Sequence, residues 1–423
     1  MCYSRGLLYL IAGVGVVVSV HAASPARADD LAASTFLLDY NFAAKAPGAS
    51  KVDTSNVAAF ADVLPPTVVD LIKAGDLEIA LQPGTSFSPS PGYIDATRQN
   101  DGKTAFDETG GKLVNYVGGR PFPQVLDPAD PQAGRLLAWN IRYADGGDSG
   151  TVDPMVWKYI DMPSAKVERT IGMRASKLSY LYRVSDKEHP SLEPNPSGIF
   201  RAMYLSIDEP LDVKGTQLLI HRLADDHARE QTWLYLSSQR RVRLLSSGET
   251  TDAFLGSDIM IEDFLGYNGR LSDQEWKLLG KKDLLLPLYV SSTGADVSYG
   301  GAGNCYPSTP WELRPGYVLE GKPIDPHHPL SKRIFYVDAQ TSYIMVTEIF
   351  DRADRLWKLG FASLAHPDSH LPENKGSHIP ALAAVSMSDL QARHCTVIVP
   401  TAHNLVEASP TDFTVNSLRA RGR

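Results

Sequence analysis

The sequence predicts a mainly β protein with accompanying helices (α+β), built on one long, curved antiparallel sheet. From about Lys166 onward the chain is a succession of β-branched and aromatic runs, alternating apolar with polar and divided by polar turns. Links as short as Asp338-Ala-Gln-Thr341 and Asp351-Arg-Ala-Asp-Arg355 make neighbours in sequence neighbours in the sheet. Helical patterns are short and gather in the N-terminal part.

The first residues read as an export signal. Met1 to Arg5 carries one positive charge and precedes the apolar run Gly6 to Val20, shorter than the roughly 20 residues that span a bilayer. Ala26-Arg27-Ala28 supplies small residues at alternate positions, so cleavage is expected after Ala28, with Ala23 as the alternative. Cys2 lies before the apolar run, so the cysteine of a lipoprotein signal is missing and the product, residues 29–423, is expected free in the periplasm. No second long apolar stretch follows, and the mean hydropathy of −0.18 agrees with a water-soluble product. The net charge of −8, with dispersed lysines and arginines, argues against nucleic acid as the main partner. Peripheral contact with anionic lipid headgroups stays open. With no fixed-period repeat and no low-complexity linker, residues 29–423 read as one domain: an N-terminal helical elaboration (about 29–165) and the main sheet (about 166–423).

Along the chain, Thr54 to Ala74 reads as one or two short helices broken at Pro65-Pro66. Lys112 to Val117 follows a Gly-Gly turn and reads as the second arm of a hairpin. Asp130-Pro131 can open a helix carrying Leu136, Trp139, Ile141 and Tyr143. Strands are expected at 177–184, 200–207, 217–223, 232–236, 317–321, 332–337, 342–350 and 356–362, with a further one at the apolar run from Cys395 to Val399. The run from Tyr343 to Phe350 is apolar on both faces, so both must be covered. Asp252 to Lys281 lacks regular alternation and is expected to interrupt the sheet as helix and loop.

Catalytic and metal-binding patterns are sparse. His221-Arg-Leu-Ala-Asp-Asp-His227 sits between two strand-like runs, where Asp and His gather as turn residues, and His189, His327 and His328 stand beside or near prolines outside any ligand spacing. No Gly-x-Ser-x-Gly elbow, dinucleotide fingerprint or phosphate loop occurs, so no cofactor, metal or catalytic set is expected. Thr232 to Leu245 is richer: Trp233 and Tyr235 share one face, and Arg241 and Arg243 share a side able to hold a headgroup or carboxylate, or to form cross-strand ion pairs. Cys305 and Cys395 remain after maturation, and an oxidising compartment permits them to pair if geometry allows.

A co-linear set of motifs resembles a bacterial family. It comprises Tyr116-Val-Gly-Gly-Arg-Pro-Phe-Pro123, Asp130-Pro-Gln-Ala-Gly134 with Ala138-Trp-Asn140, Gln239-Arg-Arg-Val-Arg243, Asp263-Phe-Leu-Gly-Tyr267, Trp276-Lys-Leu-Leu-Gly-Lys-Lys282, Trp311-Glu-Leu-Arg314, Lys332 to Asp338, and Asp351-Arg352. It is similar to the domain-of-unknown-function family 1329 (DUF1329), whose members resemble outer-membrane lipoprotein-sorting proteins. The resemblance implies a LolA/LolB-like incomplete barrel, with helices covering a hydrophobic concave side, and a periplasmic carrier for a lipid or other hydrophobic molecule. It also implies partners: an inner-membrane exporter of the resistance-nodulation-division type and an outer-membrane barrel. Arg120 departs from the family pattern, where leucine is expected. The candidate ligand-contacting residues are Trp139, Tyr204, Trp233, Tyr235, Arg241, Arg243, Phe264, Trp276, Trp311, Phe335 and Tyr343. Two alternatives stand beside the carrier: an envelope lipid hydrolase with Asp258, Glu262 and Asp263 at a cavity mouth, and a non-catalytic adaptor between exporter and barrel.

Overall fold

The computed structural model describes residues 48–85, 88–246, 251–290, 296–405 and 407–422, so the expected signal and its cleavage positions lie outside the described residues. Five helices are used below: α1 (Pro66–Ala74), α2 (Pro91–Asn100), α3 (Ala133–Arg142), the single turn α4 (Pro367–His370) and α5 (Val415–Arg421).

Fifteen strands form one sheet. They are β1 (Ser149–Asp161), β2 (Lys166–Ser179), β3 (Ile199–Glu209), β4 (Gln217–Leu223), β5 (Gln231–Leu236), β6 (Arg241–Leu244), β7 (Gln274–Leu286), β8 (Leu288–Val290), β9 (Glu312–Pro323), β10 (Leu330–Asp338), β11 (Ile344–Asp351), β12 (Leu356–Ala365), β13 (Ala381–Asp389), β14 (His394–Pro400) and β15 (His403–Asn404). The order is β6-β5-β4-β3-β2-β1-β14-β13-β12-β11-β10-β9-β7, with β15 added beside β1 and the short β8 parallel to β12. All other pairings in the sheet are antiparallel. Two meanders meet where β14 pairs with β1, and β6 and β7 are left as the two edges, so the sheet is not closed.

The sheet has to curl. Nine strand steps separate β3 from β7, about 43 Å on a flat sheet. Helix α3, about 15 Å long, nevertheless touches both. Near its start Gly134 lies so close to β7 that an added Cβ would meet the Trp276 carbonyl oxygen at 2.6 Å. Just past its end the Tyr143 ring sits 4.6 Å from that of Phe200 on β3. The helix therefore lies in the concave side. The outer face is covered by the N-terminal segment, where Val52, Leu64, Val68 and Ile72 pack against Tyr336, Leu359 and Phe361, and by Phe413 and Leu418 against Leu178, Ala202 and Leu219.

Several boundaries differ from the sequence expectation, each for a local reason. The sheet starts at Ser149 rather than near 166, because the bulge around Asp153-Pro154 breaks the alternation of β1. Residues 274–281, expected as helix or loop, belong to β7, whose period is broken by a bulge between Leu278 and Gly280 and masked by lysines on its outer side. The strand expected over 177–184 ends at Ser179, and Tyr182 turns away with φ 60. The helix begins at Ala133, after a turn in which Asp130 Oδ1 accepts from the Gln132 N–H at 2.8 Å. The hairpin 105–106/113–114 and the helix pair around Pro65-Pro66 form as expected.

Cys305 and Cys395 are joined, with their Cα atoms 6.0 Å apart and a sequence separation of 90. The bond ties the loop before Tyr306 to β14, at the seam of the two meanders. Closing a span of that length removes much of the freedom of the unfolded chain. Replacing both cysteines by serine should cost about 2–5 kcal/mol, read as a lower urea midpoint; equal midpoints would mean the bond adds nothing to stability.

Candidate functional site

The concave side carries two apolar clusters. In the first, Leu137, Trp139 and Tyr143 of the α3 region pack on Phe200, Phe335 and Val337. In the second, Phe254, Met260 and Phe264 pack on Trp157, Leu205 and Ile349. The hydrophobic concave side that the family resemblance implies is thus largely taken up by the chain's own residues. Two Phe-Leu-Gly turns, 254–256 and 264–266, bring this about. Leu255 and Leu265 both adopt φ 55, a left-handed conformation costly for leucine, and each is followed by a glycine at positive φ. The turns fold both phenylalanines inward, their rings 5.5 Å apart and edge-on to Trp157 at 6.0 and 6.2 Å.

Polar groups anchor this 254–264 segment. Asp258 Oδ2 accepts from Thr396 Oγ1 at 2.7 Å and lies 2.9 Å from His394 Nδ1, while Lys358 Nζ donates to the Asp258 carbonyl at 2.6 Å. Glu262 Oε2 and Asp263 Oδ1 each lie 3.1 Å from Arg333 Nη2. Burial opposes ionisation of Glu262, but His328 and Arg333 together hold its carboxyl below the usual range. The three carboxylates of the hydrolase reading are therefore the fastenings of this segment.

Between the clusters the concave face turns basic. Lys177 of β2, Arg201 of β3 and Arg222 of β4 occupy inward positions of strands that are otherwise apolar on that side, and Arg142 adds a fourth cation from α3. Arg201 stands directly opposite Arg222 across the strand pair, an unfavourable juxtaposition of like charges. Arg222 pairs with Glu230; Arg142 lies 3.3 Å from Asp226 and donates to the Gly269 carbonyl at 2.5 Å. Lys177 Nζ donates to the Gly146 carbonyl. Among the described residues, Arg201 has no carboxylate within ion-pair distance; its guanidinium carbon lies 5.2 Å from the Phe200 ring centroid. Burial, together with Arg142 and Arg222, lowers the Arg201 pKa to about 10. Burial and then Arg201 lower that of Lys177 to about 8. Ala175, Lys177, Ser179 and Arg201 nevertheless keep part of their surface accessible, unlike the cluster residues on either side.

A second concavity of about 570 Å³ lies on the outer face, between β1 to β4 and the C-terminal segment. Its charged groups largely satisfy one another: Arg174 pairs with Asp208 at 3.1 Å, and Arg421 pairs with Asp412 while lying 4.8 Å from the Tyr204 ring centroid. An apolar guest there would strip water from those ion pairs, so this cleft suits a polar ligand and not a lipid tail.

A family model, Protein of unknown function (DUF1329), matches residues 51–419. The chain belongs to the DUF1329 family. An uncharacterized protein of Pseudomonas aeruginosa is 25% identical over 351 residues, covering 78% of this chain and 71% of that one. A crystallised DUF1329 family protein from Desulfovibrio piger is 19% identical, with TM-score 0.49 over 69% of this chain and 100% of its own. A Vibrio parahaemolyticus domain described as outer membrane lipoprotein-sorting is 18% identical, with TM-score 0.48 and the same coverage. A LolA superfamily protein from Nitrosomonas europaea is 14% identical, with TM-score 0.40 over 66% of this chain and 94% of its own. At such scores the roles of individual residues rest on the geometry of this DUF1329 chain itself.

That geometry scatters the residues singled out from sequence. Trp139, Trp276 and Phe335 lie in the α3 cluster and Phe264 in the second cluster. Tyr343 lies at the basic strip, close enough to Arg201 to affect its charge, and donates its hydroxyl to the Asp145 carbonyl at 2.7 Å. Tyr204 lines the outer cleft, and Trp233 and Tyr235 face the same outer side, with Trp233 edge-on to His221 at 4.9 Å. Trp311 packs on Phe361 at 5.8 Å under the N-terminal segment. Arg241 and Arg243 are exposed on the edge strand β6. Arg120 is buried and donates to the carbonyls of Ala339 and Gln340 at 2.9 and 2.5 Å, a role leucine could not fill. The basic strip itself was missed. Its signal was parity: Arg201 and Arg222 each interrupt an apolar i, i+2 series, and Lys177 ends the one that runs through Ile171, Met173 and Ala175.

Beside Lys177, burial raises the Asp145 pKa to about 6, although Ser90 Oγ donates to it at 2.8 Å. The unfolded carboxyl ionises near 3.8, so the folded state binds the proton more tightly and the cost of ionisation grows between about pH 4 and 6, then stays constant. Asp145→Asn should therefore raise stability by about 1–3 kcal/mol at pH 7.5 and leave it nearly unchanged at pH 3.5. Thermal melts at the two pH values test this; equal effects at both would contradict it.

Proposed function

We propose that this chain is a non-catalytic carrier of the bacterial envelope that holds a lipid or other hydrophobic molecule against the concave side of its sheet. The observation that carries the reading is the 254–264 segment. It covers an apolar surface with two phenylalanines and is fastened by polar side chains, with no ladder of strand pairing to the sheet around it. A cover of that kind can yield to a guest. Giving up a buried phenylalanine costs about 3–5 kcal/mol, and twelve buried methylenes return about 10 kcal/mol, so an acyl chain is of the right size to exchange with the pair.

On this reading the protein works in the periplasm, taking cargo at one membrane and releasing it toward the other, with an exporter of the resistance-nodulation-division type and an outer-membrane barrel as partners. The apparent export signal and the family resemblance support that setting. No helix among the described residues is long and apolar enough to cross a membrane. The hydrolase reading draws no support from Asp258, Glu262 and Asp263, whose oxygens are engaged as fastenings.

Mass spectrometry of small molecules extracted from the protein purified natively from the periplasm should find a co-purifying apolar compound, and stripped protein should take it up again. Protein that yields none and takes up none would contradict the carrier. Phe264→Ala should enlarge the space, lowering stability by about 3–5 kcal/mol while increasing uptake of a fluorescent fatty-acid analogue at saturation; unchanged or reduced uptake in a folded variant would place the guest elsewhere.

A further inference from the structure

We propose that Arg201 and Lys177 form the seat for an anionic head group, a carboxylate or a phosphate, so that the cargo is an anionic amphiphile. This rests on the carrier reading and names the chemistry of its polar end.

The argument is one of charge balance in a confined place. Four cations, Arg142, Lys177, Arg201 and Arg222, converge on the concave strip. Two of them are matched: Arg142 by Asp226 and Arg222 by Glu230. Asp226 is committed further, since it also accepts from the Leu271 N–H at 3.1 Å and the Ser272 N–H at 2.6 Å. The carboxylates on the Lys177 side are likewise engaged. Asp148 accepts from the Val184 N–H at 2.9 Å, the Ser185 N–H at 2.8 Å and Ser185 Oγ at 2.5 Å, and Asp145 takes the Ser90 hydroxyl at 2.8 Å. Arg201 and Lys177 are left with a ring contact and a backbone carbonyl, respectively. Their depressed pKa values express the same imbalance: each cation is held where burial and its cationic neighbours oppose the charge.

Placement makes the pair a seat and not only a charge excess. Lys177 faces Met203 across β2 and β3, and Arg201 is two residues from Met203 on the same side of β3, so the two cations are diagonal neighbours. A guanidinium offers parallel donors that match a carboxylate or phosphate, and an ammonium beside it adds a second charge. Beyond Met203 the same face continues as Leu205 and Ile207 in the apolar cluster covered by Phe254 and Phe264. A head group held at Arg201 thus directs its tail along β3 toward the displaceable segment.

The test uses three probes with one tail and different heads, hexadecanoate, hexadecyl phosphate and hexadecanol, binding to the folded, stripped wild-type protein at pH 7. At least one anionic probe should bind ten-fold or more tightly than hexadecanol, and the order of the two anions tells a carboxylate seat from a phosphate seat. The double variant R201Q/K177Q should bind all three within about two-fold of one another, at the affinity of wild type for hexadecanol, while R201K should keep a preference for anions. Equal binding of the three probes by wild type would overturn the head-group assignment and leave the carrier standing, a result that needs no variant to fold. A preference that survives in the folded double variant would overturn it too. Failure of all three probes to bind would remove the carrier reading and this inference with it.

Discussion

A fifteen-stranded sheet with two free edges has two apolar faces to bury, and the way this chain buries the inner one governs the rest of the molecule. Helix α3 ties β3 to β7 across the concave side and so sets the curl of the sheet. Within that curl the remaining inner surface is divided between the α3 cluster and the 254–264 segment, with the basic strip left between them. The two covers differ in kind. The first is a helix packed through large aromatic side chains, and the second is a pair of tight turns held down at three carboxylates. If either part of the inner side is to move for a guest, the turns are the part whose fastening depends on a few polar contacts.

Much of the architecture was legible in the sequence because local rules and burial agree there. Strands such as β4, β5 and β10 to β12 alternate or run apolar between polar turns, and the structure places them where those patterns predict. Legibility failed where a bulge shifts the period, as in β1 and β7, and where small residues carry little signal, as in the Ala- and Ser-rich β13. The site was harder to read. Large aromatics were natural candidates for contacting a guest, yet Trp139 and Phe335 fill the inner core while Trp233 and Trp311 serve the outer face. Periodicity says that a residue is buried but not on which side of a curved sheet. Inward cations carry more information, because water would otherwise hold them, and their position among apolar neighbours is what marks the strip at Lys177 and Arg201.

Charge inside this protein is used in two distinct ways. Arg314 is fully buried between Glu312 and Asp338, at 2.9 and 2.7 Å, where loss of a partner would leave buried charge uncompensated. Arg333 is likewise buried, bonds Glu262 and Asp263 through Nη2, and so pins the 254–264 segment. Arg201 and Lys177 differ in forming no salt bridge among the described residues while retaining accessible surface. Two inward cations next to an apolar surface, under a cover fastened by a few polar contacts, are a combination that fits holding an amphiphile.

The central claim is that the guest and the 254–264 segment compete for one surface. Hydrogen–deuterium exchange of the stripped protein, followed peptide by peptide with and without a bound anionic amphiphile, tests it most directly. The account predicts faster exchange over 254–266 on loading, with β3 and α3 unchanged or slower. Protection of 254–266 by the guest, or a change confined to the outer-face cleft around Tyr204 and Arg421, would contradict it.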